Sequence, residues 1–460
     1  MKFHFSKNIP TESNISENKI LEDCLMSDWQ DWKWQMRHSL KTKTDYSNFY
    51  KLSQSEISGF ENASGVFQIR TTPYYALLGD KDLPDDPIRL MQTPHQKEMS
   101  HDTPTQEMLD PLGEDKHSVT NRLVHRYADR VLFLITDSCS VYCRYCTRKR
   151  FTGQGHSFLK HDEHEESLQY IREHSGIREV ILSGGDPLTL SDDRIESILS
   201  ELRKIEHIEI IRIGSRMPVV NPFRITDELV LILKKFQPIY FMTHFNHPKE
   251  LTSEACDSLK KLVEAGIPVM NQMVLLNGVN NTAAHVQALS RRLLYLRVKP
   301  YYMFQCDPSI GTDHLRTSIL DSLNIQKELW GHLSGLAMPK FSIDIPNGGG
   351  KVSLTPDFMW PSESVPNQLE NLSSLQNLAL GKNLTTGKTW AFKGFDGVVH
   401  SYIDPHESSI RKPIDANEYL PEWEALKSAK VAADQFHQGD SKLHLPSVAF
   451  ATESGLTNGL

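Results

Sequence analysis

The chain has 460 residues, 39% of them hydrophobic, with a formal net charge of -8 and a pI of about 6.2. This length suffices for one large domain with appendages or for two to three domains, with a sizeable buried core. The acidic balance argues against a general nucleic-acid or membrane-surface binder, because both require a basic excess.

The sequence offers no sign of secretion or membrane insertion. Its first twenty residues lack the apolar core of a signal peptide, and no apolar run approaches the ~18 residues of a membrane span. Cys24, Cys256 and Cys306 are scattered and indicate no disulfide framework. We therefore expect a cytoplasmic protein without a nucleic-acid or membrane partner.

The N-terminal region, residues 1–125, is predicted to be helical and irregular. Residues 27–40 have the pattern of one amphipathic helix, whose tryptophans Trp29, Trp32 and Trp34 we interpret as packing groups. Residues 85–120 are rich in Pro, Asp and His and predict a surface connection. The run at 161–166, "HDEHEE", is interpreted as a solvated helix start and not as a metal site.

The middle of the chain alternates apolar β-branched runs with helix-like patterns, about 30 residues per unit. The predicted strands are 130–139, 178–186, 208–216, 238–246, 267–278 and 298–307. The predicted helices between and after them are 191–205, 226–237, 252–266, 282–296 and 317–335. Such a series indicates an α/β fold with a parallel sheet and helical crossovers.

An open doubly wound sheet and a full or partial barrel both fit these repeats. The choice rests on polar residues at the ends of six predicted strands: Cys139, Asp186, Arg216, His244, Gln272 and Asp307. They can converge on one site only if the sheet curls, so we predict a six-unit (βα)6 partial barrel over residues 126–352. Residues 353–460 form a C-terminal extension, with a hairpin at 389–405 and a polar tail that we expect to be disordered.

Three of the six cysteines lie in "SCSVYCRYC", as Cys139-x3-Cys143-x2-Cys146. Thiolates suit zinc or iron–sulfur clusters, but a structural zinc site requires a fourth ligand. An iron–sulfur cluster normally takes four cysteines, so three of them leave one iron open to a substrate or cofactor. A zinc knuckle is the alternative interpretation of the same residues.

At these residues the chain resembles the radical S-adenosylmethionine (SAM) superfamily, in which such a triad holds a [4Fe–4S] cluster. The resemblance implies that Cys139, Cys143 and Cys146 hold the cluster, whose free iron chelates SAM. It places Tyr145, Gly184, Gly185, Asp186, His244 and Gln272 around SAM, with Tyr145 near the adenosyl group and Asp186 balancing the methionine ammonium. His244 and Gln272 could instead be satisfied polar groups in a barrel mouth.

The motifs "CRYCTRKRF", "RIGSRMPV", "THFNHP", "PYYMFQCDPS" and "DIPNGGGK" together resemble the lysine 2,3-aminomutase family. The resemblance implies a second cofactor, pyridoxal 5′-phosphate (PLP), held as a Schiff base on Lys351. A surface glycine loop with a solvated lysine is the plain alternative; a P-loop is excluded, because Ile345 stands where that motif needs Gly. Arg126 and Arg216 are candidates for the PLP phosphate, and either could be a structural ion pair instead.

The resemblance also assigns the substrate contacts. Arg148 corresponds to the position that binds the substrate α-carboxylate, and Asp307 and Asp344 correspond to the two that receive a distal ammonium. Glutamate-acting relatives replace this acidic pair with a basic and a neutral residue. A buried unpaired charge costs roughly 2–5 kcal/mol, so we expect a cationic amino acid such as lysine, arginine or ornithine.

The implied activity is an isomerase that moves the α-amino group of L-lysine to Cβ, giving L-β-lysine, with hydrogen taken and returned by a 5′-deoxyadenosyl radical. A flavodoxin or ferredoxin would serve as the reductant, and a homo-oligomer is expected. Rival interpretations are an arginine 2,3-aminomutase, an enzyme that modifies a lysine for attachment to elongation factor P, and a non-catalytic iron–sulfur or zinc-binding interaction protein. No Cys follows Cys306, so the structural zinc of some relatives is not expected.

Overall fold

The computed structural model describes residues 24–63, 67–99, 108–153, 160–357, 359–361, 389–393 and 399–403. The polar tail that we expect to be disordered lies outside these residues. None of the helices described is long and apolar enough to cross a membrane.

The N-terminal region consists of short helices. They are α1 (Met26–Trp29), α2 (Trp32–Arg37), α3 (Lys43–Ser47), α4 (Gln54–Ala63), α5 (Pro73–Ala76) and α6 (Pro87–Gln92). The single helix predicted over 27–40 is wrong: Asp31 interrupts it, and its carboxylate accepts hydrogen bonds from the N–H groups of Lys33 and Trp34 as the cap of α2. Trp29 and Trp34 are buried, as their interpretation as packing groups requires.

The predicted surface connection at 85–120 is also wrong for its described part. Ile88 and Met91 of α6 are fully buried, and Glu98 and Glu114 are almost fully buried. Each of these acids pairs with an arginine of the segment after Cys143, so charge pairing offsets the cost of burial.

Ten strands form one sheet in the order of the chain. They are β1 (Ser118–Thr120), β2 (Leu123–Tyr127), β3 (Arg130–Thr136), β4 (Glu179–Gly184), β5 (Ile210–Gly214), β6 (Ile239–Thr243), β7 (Val269–Leu275), β8 (Lys299–Gln305), β9 (Lys340–Ile345) and β10 (Gly350–Ser353). Strands β3 to β9 are parallel, whereas β1, β2 and β10 pair antiparallel at the two ends. The sheet therefore begins upstream of residue 126, the predicted start of the barrel.

Helices connect the parallel strands. They are α7 (His161–Glu173), α8 (Asp192–Arg203), α9 (Met217–Val220), α10 (Asp227–Lys235), α11 (Ser253–Glu264), α12 (Ala283–Tyr295) and α13 (Ile319–Leu329). The hydroxyl that precedes each of α8, α10, α11, α12 and α13 accepts a backbone hydrogen bond from the first turn. The predicted strands and helices of this region are confirmed, and so is the helix start at 161.

The α/β class with a mostly parallel sheet is confirmed, but the sheet has seven parallel strands, since β9 follows the sixth crossover helix. Its two ends approach each other. The backbone N–H of Lys351 on β10 donates to the Tyr127 hydroxyl on β2 over 3.2 Å, and the Asn347 N–H donates to the Pro111 carbonyl over 3.1 Å. Because seven strands separate β2 from β10, these contacts require a strongly curled sheet.

One hydrophobic cluster fills the space between sheet and helices. Along β7, alternate residues Val269, Asn271, Met273 and Leu275 are buried, the period expected of a pleated strand. A second sheet comprises β11 (Met359–Pro361), β12 (Thr389–Lys393) and β13 (Val399–Ile403). The antiparallel pairing of β12 with β13 confirms the predicted hairpin.

Candidate active site

The three clustered cysteines lie in the loop after β3. Burial raises the pKa of the Cys139 thiol well above its usual value, and Asp186 and the other two thiols add to this rise. The thiols are therefore close enough to repel one another as anions. The Cys143 sulfur accepts a hydrogen bond from Arg216 Nη1 over 2.8 Å, and the Cys146 sulfur accepts one from the Arg148 N–H over 3.4 Å.

Burial favours the protonated thiols, but Arg216 at Cys143 and the Arg148 N–H at Cys146 are donors that would compensate the negative charge of thiolates bound to a cluster. Within the described ranges, no three His, Cys, Asp or Glu side chains surround a single metal-ion position. A cubane cluster does not require such an arrangement, since each thiolate binds a different iron.

The turn after β4 packs directly on the cysteine loop. A Cβ on Gly184, whose φ is +128°, would collide with the Thr136 carbonyl oxygen, and one on Gly185 would collide with that of Ser138. The Gly185 N–H donates to the Thr136 carbonyl over 2.6 Å. The two glycines thus permit close contact with the segment that carries Cys139.

Asp186 ends this turn and is almost fully buried. Its carboxylate accepts hydrogen bonds from the Ser215 hydroxyl at 2.7 Å and from the N–H groups of Leu188 at 3.0 Å and Arg216 at 2.8 Å. Burial raises its pKa, and these donors act in the opposite direction. The carboxylate therefore links the ends of β4 and β5. That Asp186 also neutralises the ammonium group of SAM stays a prediction.

Tyr145 and His244 form a polar network beside the cysteine loop. The Tyr145 hydroxyl lies 2.9 Å from His244 Nε2 and accepts from Asn246 Nδ2 at 2.7 Å. Burial, with a contribution from Arg216, lowers the pKa of His244 to about 3, and the backbone of Gln272 hydrogen-bonds to its ring. The imidazole is therefore neutral at physiological pH.

Arg216 lies at the cysteine loop. Its Nη2 donates to the Glu250 carboxylate at 2.9 Å and to the Tyr75 hydroxyl at 2.8 Å, while Nη1 faces Cys143. No contact of Arg216 in the described part of the chain reaches the β9–β10 hairpin. The geometry favours the structural ion pair for Arg216 over a role at the PLP phosphate.

Lys351 is presented by the β9–β10 hairpin, directly opposite Asp344. The turn at Pro346–Gly348 has left-handed backbone at Asn347 (φ 61°) and Gly348 (φ 85°), which explains the glycine-rich sequence. The Lys351 Nζ lies 3.0 Å from one oxygen of Asp344 and 4.1 Å from the centre of the Phe304 ring. Lys351 is an exposed residue of this hairpin, as the plain surface loop requires, while its amine also faces an acid and an aromatic ring.

Asp307 follows β8 and completes an acidic pair with Asp344. Burial first, and then Asp344, raise the pKa of Asp307 to about 7, although Lys351 and Arg148 act to lower it. Asp307 therefore lies within electrostatic reach of both cations. Arg148 also contacts Cys146 through its backbone and pairs with Glu114, and the nearby Pro111 carbonyl accepts from Asn347 of the hairpin, so a chain of contacts links the cysteine loop to the lysine hairpin.

The sequence analysis missed several residues that contact this site: Glu114, Tyr127, Ser183, Asn246 and Glu250. Glu114 holds the guanidinium of Arg148, as described below, and Tyr127 holds the backbone of Lys351. Asn246 lies inside the "THFNHP" motif, so the motif itself signalled it. Glu114 was hidden in a Pro- and Asp-rich segment whose composition is typical of loops.

Two protein families match this chain. The profile of the radical SAM superfamily matches residues 133–286, and the lysine-2,3-aminomutase profile matches residues 326–371. The sheet and the cysteine site thus define a radical SAM enzyme, a class that uses a [4Fe–4S] cluster and SAM.

Curated relatives narrow the class. L-lysine 2,3-aminomutase of Acetoanaerobium sticklandii is 40% identical over 389 residues, 85% of this chain and 88% of that protein. The enzyme of the same name from Clostridium subterminale is 43% identical over 341 residues, 74% and 82% of the two chains. Glutamate 2,3-aminomutase of Clostridioides difficile is 40% identical over 350 residues, 76% and 82%. The chain belongs to the lysine 2,3-aminomutase family of isomerases, which confirms the resemblance.

Proposed function

We propose that this enzyme is a PLP-dependent 2,3-aminomutase that converts L-lysine to L-β-lysine. The acidic pair Asp307 and Asp344 beside Lys351 is the observation that carries the proposal. Similarity alone does not select the substrate, because a glutamate 2,3-aminomutase is also 40% identical. The negative charge at these two positions favours a substrate with a cationic side chain, because a cation can pair with the two carboxylates.

The radical-generating half of the site is assigned to the end of the sheet at β3–β7. Cys139, Cys143 and Cys146 would hold the [4Fe–4S] cluster, and SAM would lie against residues at the ends of β4, β6 and β7 and in the cysteine loop: Tyr145, Gly184, Gly185, Asp186, His244 and Gln272. Bound together, a cluster reduced by one electron and SAM would supply the radical chemistry that abstracts hydrogen from the substrate Cβ. The neutral His244 imidazole can serve as a hydrogen-bonding group without repelling a sulfonium.

The PLP half of the site is assigned to the β9–β10 hairpin and to β2. The Lys351 amine would hold the PLP aldehyde carbon, and PLP would supply a π-system on which nitrogen can migrate from Cα to Cβ. Arg126 is the phosphate candidate because it lies on β2 next to Tyr127, which contacts the hairpin, and its buried Nε, like that of Arg216, has no hydrogen-bond partner within the described residues. A buried donor without an acceptor costs roughly 1–3 kcal/mol, which a phosphate oxygen would relieve.

The substrate would extend between opposite charges. Arg148 would bind its α-carboxylate, and Asp307 with Asp344 would receive its distal ammonium. The six βα units that end at β8 and α13 would form the wall of the catalytic core, with β9 and β10 as its PLP-bearing extension. We further propose a flavodoxin- or ferredoxin-type reductant and a homo-oligomeric assembly.

Turnover of an amino-acid panel tests this function. The protein, purified and reconstituted anaerobically with PLP, iron and sulfide, is supplied with SAM and dithionite and with lysine, arginine, ornithine or glutamate. We expect β-lysine from lysine and no product from glutamate. Preferential turnover of arginine would reassign the substrate, and inertness towards all four would refute the proposal.

A further inference from the structure

Glu114 holds the guanidinium of Arg148 along one edge. Arg148 Nε lies 3.0 Å from each Glu114 oxygen, and Nη2 lies 2.7 Å from Oε1. The side chains are only 7% exposed for Glu114 and 19% for Arg148, so water competes little for this contact. Such a fork-to-carboxylate pair fixes both the position and the plane of a guanidinium.

The opposite corner of the same guanidinium remains available. Arg148 Nη1 lies 3.4 Å from the Ser183 hydroxyl on β4, a long and weak contact. Within the described residues the guanidinium has no other side-chain hydrogen-bond partner. A carboxylate that approaches from the side of β4 would therefore find Nη1 directed towards it.

Glu114 is carried by a segment that is fixed to the rest of the site. We call residues 108–117 the strap. The strap pairs with the loop after β8, where the Met108 N–H donates to the Pro308 carbonyl over 2.8 Å. It also contacts the lysine hairpin, since the Pro111 carbonyl accepts from Asn347, and the Leu112 carbonyl accepts from Arg126. Glu114 thus occupies a position set by both halves of the PLP and substrate site.

The charges around Arg148 explain why it requires such a partner. Asp307, the proposed ammonium receiver, is within electrostatic reach of Arg148. An ionised Asp307 would attract an unpaired Arg148, and a pair between them would occupy the groups proposed for both ends of the substrate. A flexible arginine also carries about 2 kcal/mol of rotamer entropy that must be lost on binding.

We propose that Glu114 is a positioning residue for the substrate carboxylate: it holds Arg148 by its Nε–Nη2 edge, away from Asp307, and leaves Nη1 for the incoming carboxylate. The inference rests on the proposed function, because it presumes that Arg148 binds the α-carboxylate of an amino acid. It predicts that loss of Glu114 weakens recognition of the carboxylate and spares recognition of the amine-bearing chain.

Binding of two ligands that differ only in the carboxylate tests this role. The reconstituted holoenzyme is titrated with L-lysine and with 1,5-diaminopentane, which has the same chain and both amines but no carboxylate. The change in the visible absorption of the bound PLP reports the two Kd values without turnover. Variants are Glu114→Ala, Glu114→Gln and Arg148→Ala, with Asp115→Asn as the matched control, because Asp115 pairs with Arg150 and not with Arg148.

We expect the wild-type enzyme to prefer lysine, and Arg148→Ala to abolish the preference. The preference for lysine is the Kd for 1,5-diaminopentane divided by the Kd for lysine. Glu114→Ala should lower this ratio by about tenfold, the scale of one charge-assisted contact, and should leave the Kd for the diamine within about twofold of wild type. Glu114→Gln keeps one acceptor oxygen, so its ratio should lie between those of Glu114→Ala and the wild type. The ratio of Asp115→Asn should match that of the wild type.

Three results would overturn the inference. If both Glu114 variants keep the wild-type ratio, with or without an equal loss of affinity for both ligands, Glu114 has only a structural role. Tighter lysine binding in both variants would make it a competitor of the substrate. If Arg148→Ala leaves the lysine preference intact, the carboxylate site itself is misplaced and the proposed function fails with it; a melting curve for each variant separates these results from misfolding.

Discussion

Replacing Asp307 by Asn should raise the KM for lysine sharply while both cofactors still bind. Its surroundings in the protein raise the pKa of this carboxyl from 3.8 to about 7, which corresponds to roughly 4 kcal/mol against the ionised form. A substrate ammonium offsets that cost by supplying the missing counter-charge. Because Asp344 remains in the variant, we expect a loss of about 2–3 kcal/mol, or a KM increase of ~30- to ~150-fold.

The direction in which the KM for lysine changes with pH follows from the raised pKa of Asp307. Below about pH 7 Asp307 of the wild-type protein is protonated without substrate, so binding of the ammonium must release that proton. The KM for lysine should therefore rise as the pH falls below 7 in the wild type, and this component should be absent in Asp307→Asn.

Anaerobic turnover with SAM and dithionite gives both parameters, and iron content and PLP absorption check the cofactors. Asp313→Asn is the matched control, since Asp313 lies in the same loop and pairs locally with Arg316 at 2.8 Å. A KM within twofold of wild type in Asp307→Asn, with the pH profile retained, would show that the ammonium binds elsewhere.

Three further outcomes are expected. Lys351→Ala should lose the Schiff-base absorption band and retain cluster iron; a band that persists would place PLP on another amine. Gly184→Ala should cost about 2–4 kcal/mol of unfolding free energy and reduce iron content, since its Cβ would collide with the Thr136 carbonyl. Glu250→Gln should lower the free energy of unfolding by about 3–5 kcal/mol, because it leaves the buried Arg216 charge without its carboxylate partner; a change under 1 kcal/mol would contradict this.

Two substitutions serve as controls for the last two variants. Gly335→Ala introduces a Cβ into open space and should leave stability and iron content unchanged. Glu201→Gln removes a solvent-exposed pair with Lys204 and should change the free energy of unfolding by less than 1 kcal/mol.

The sequence was most informative where one local rule decides the structure. The strands from 130 to 307 are runs of β-branched and aromatic residues, and α8, α10, α11, α12 and α13 begin at Ser or Thr caps, so these elements were predictable. Asp307 and Cys139 were expected on one edge of a curled parallel sheet because each follows a predicted strand, whereas Arg148 was assigned from the family resemblance alone.

The remaining features depend on contacts that no local pattern encodes. Asp31 caps α2 in the middle of what looks like one continuous amphipathic segment. The ion pair of Glu114 with Arg148 joins residues 34 positions apart, and Glu114 lies in a stretch whose composition suggests solvent exposure. Burial of its carboxylate is favourable only because the arginine is there, and the pairing becomes visible only in three dimensions.

The hydrogen bond between Tyr127 and the backbone of Lys351 joins positions separated by 224 residues. A chain emerging from the ribosome must therefore deliver nearly all of its sheet before the lysine acquires its surroundings. Capture of the proposed PLP cofactor should lag behind formation of the central helices during synthesis, and its Schiff-base absorption band would then report that the β9–β10 hairpin has joined the sheet.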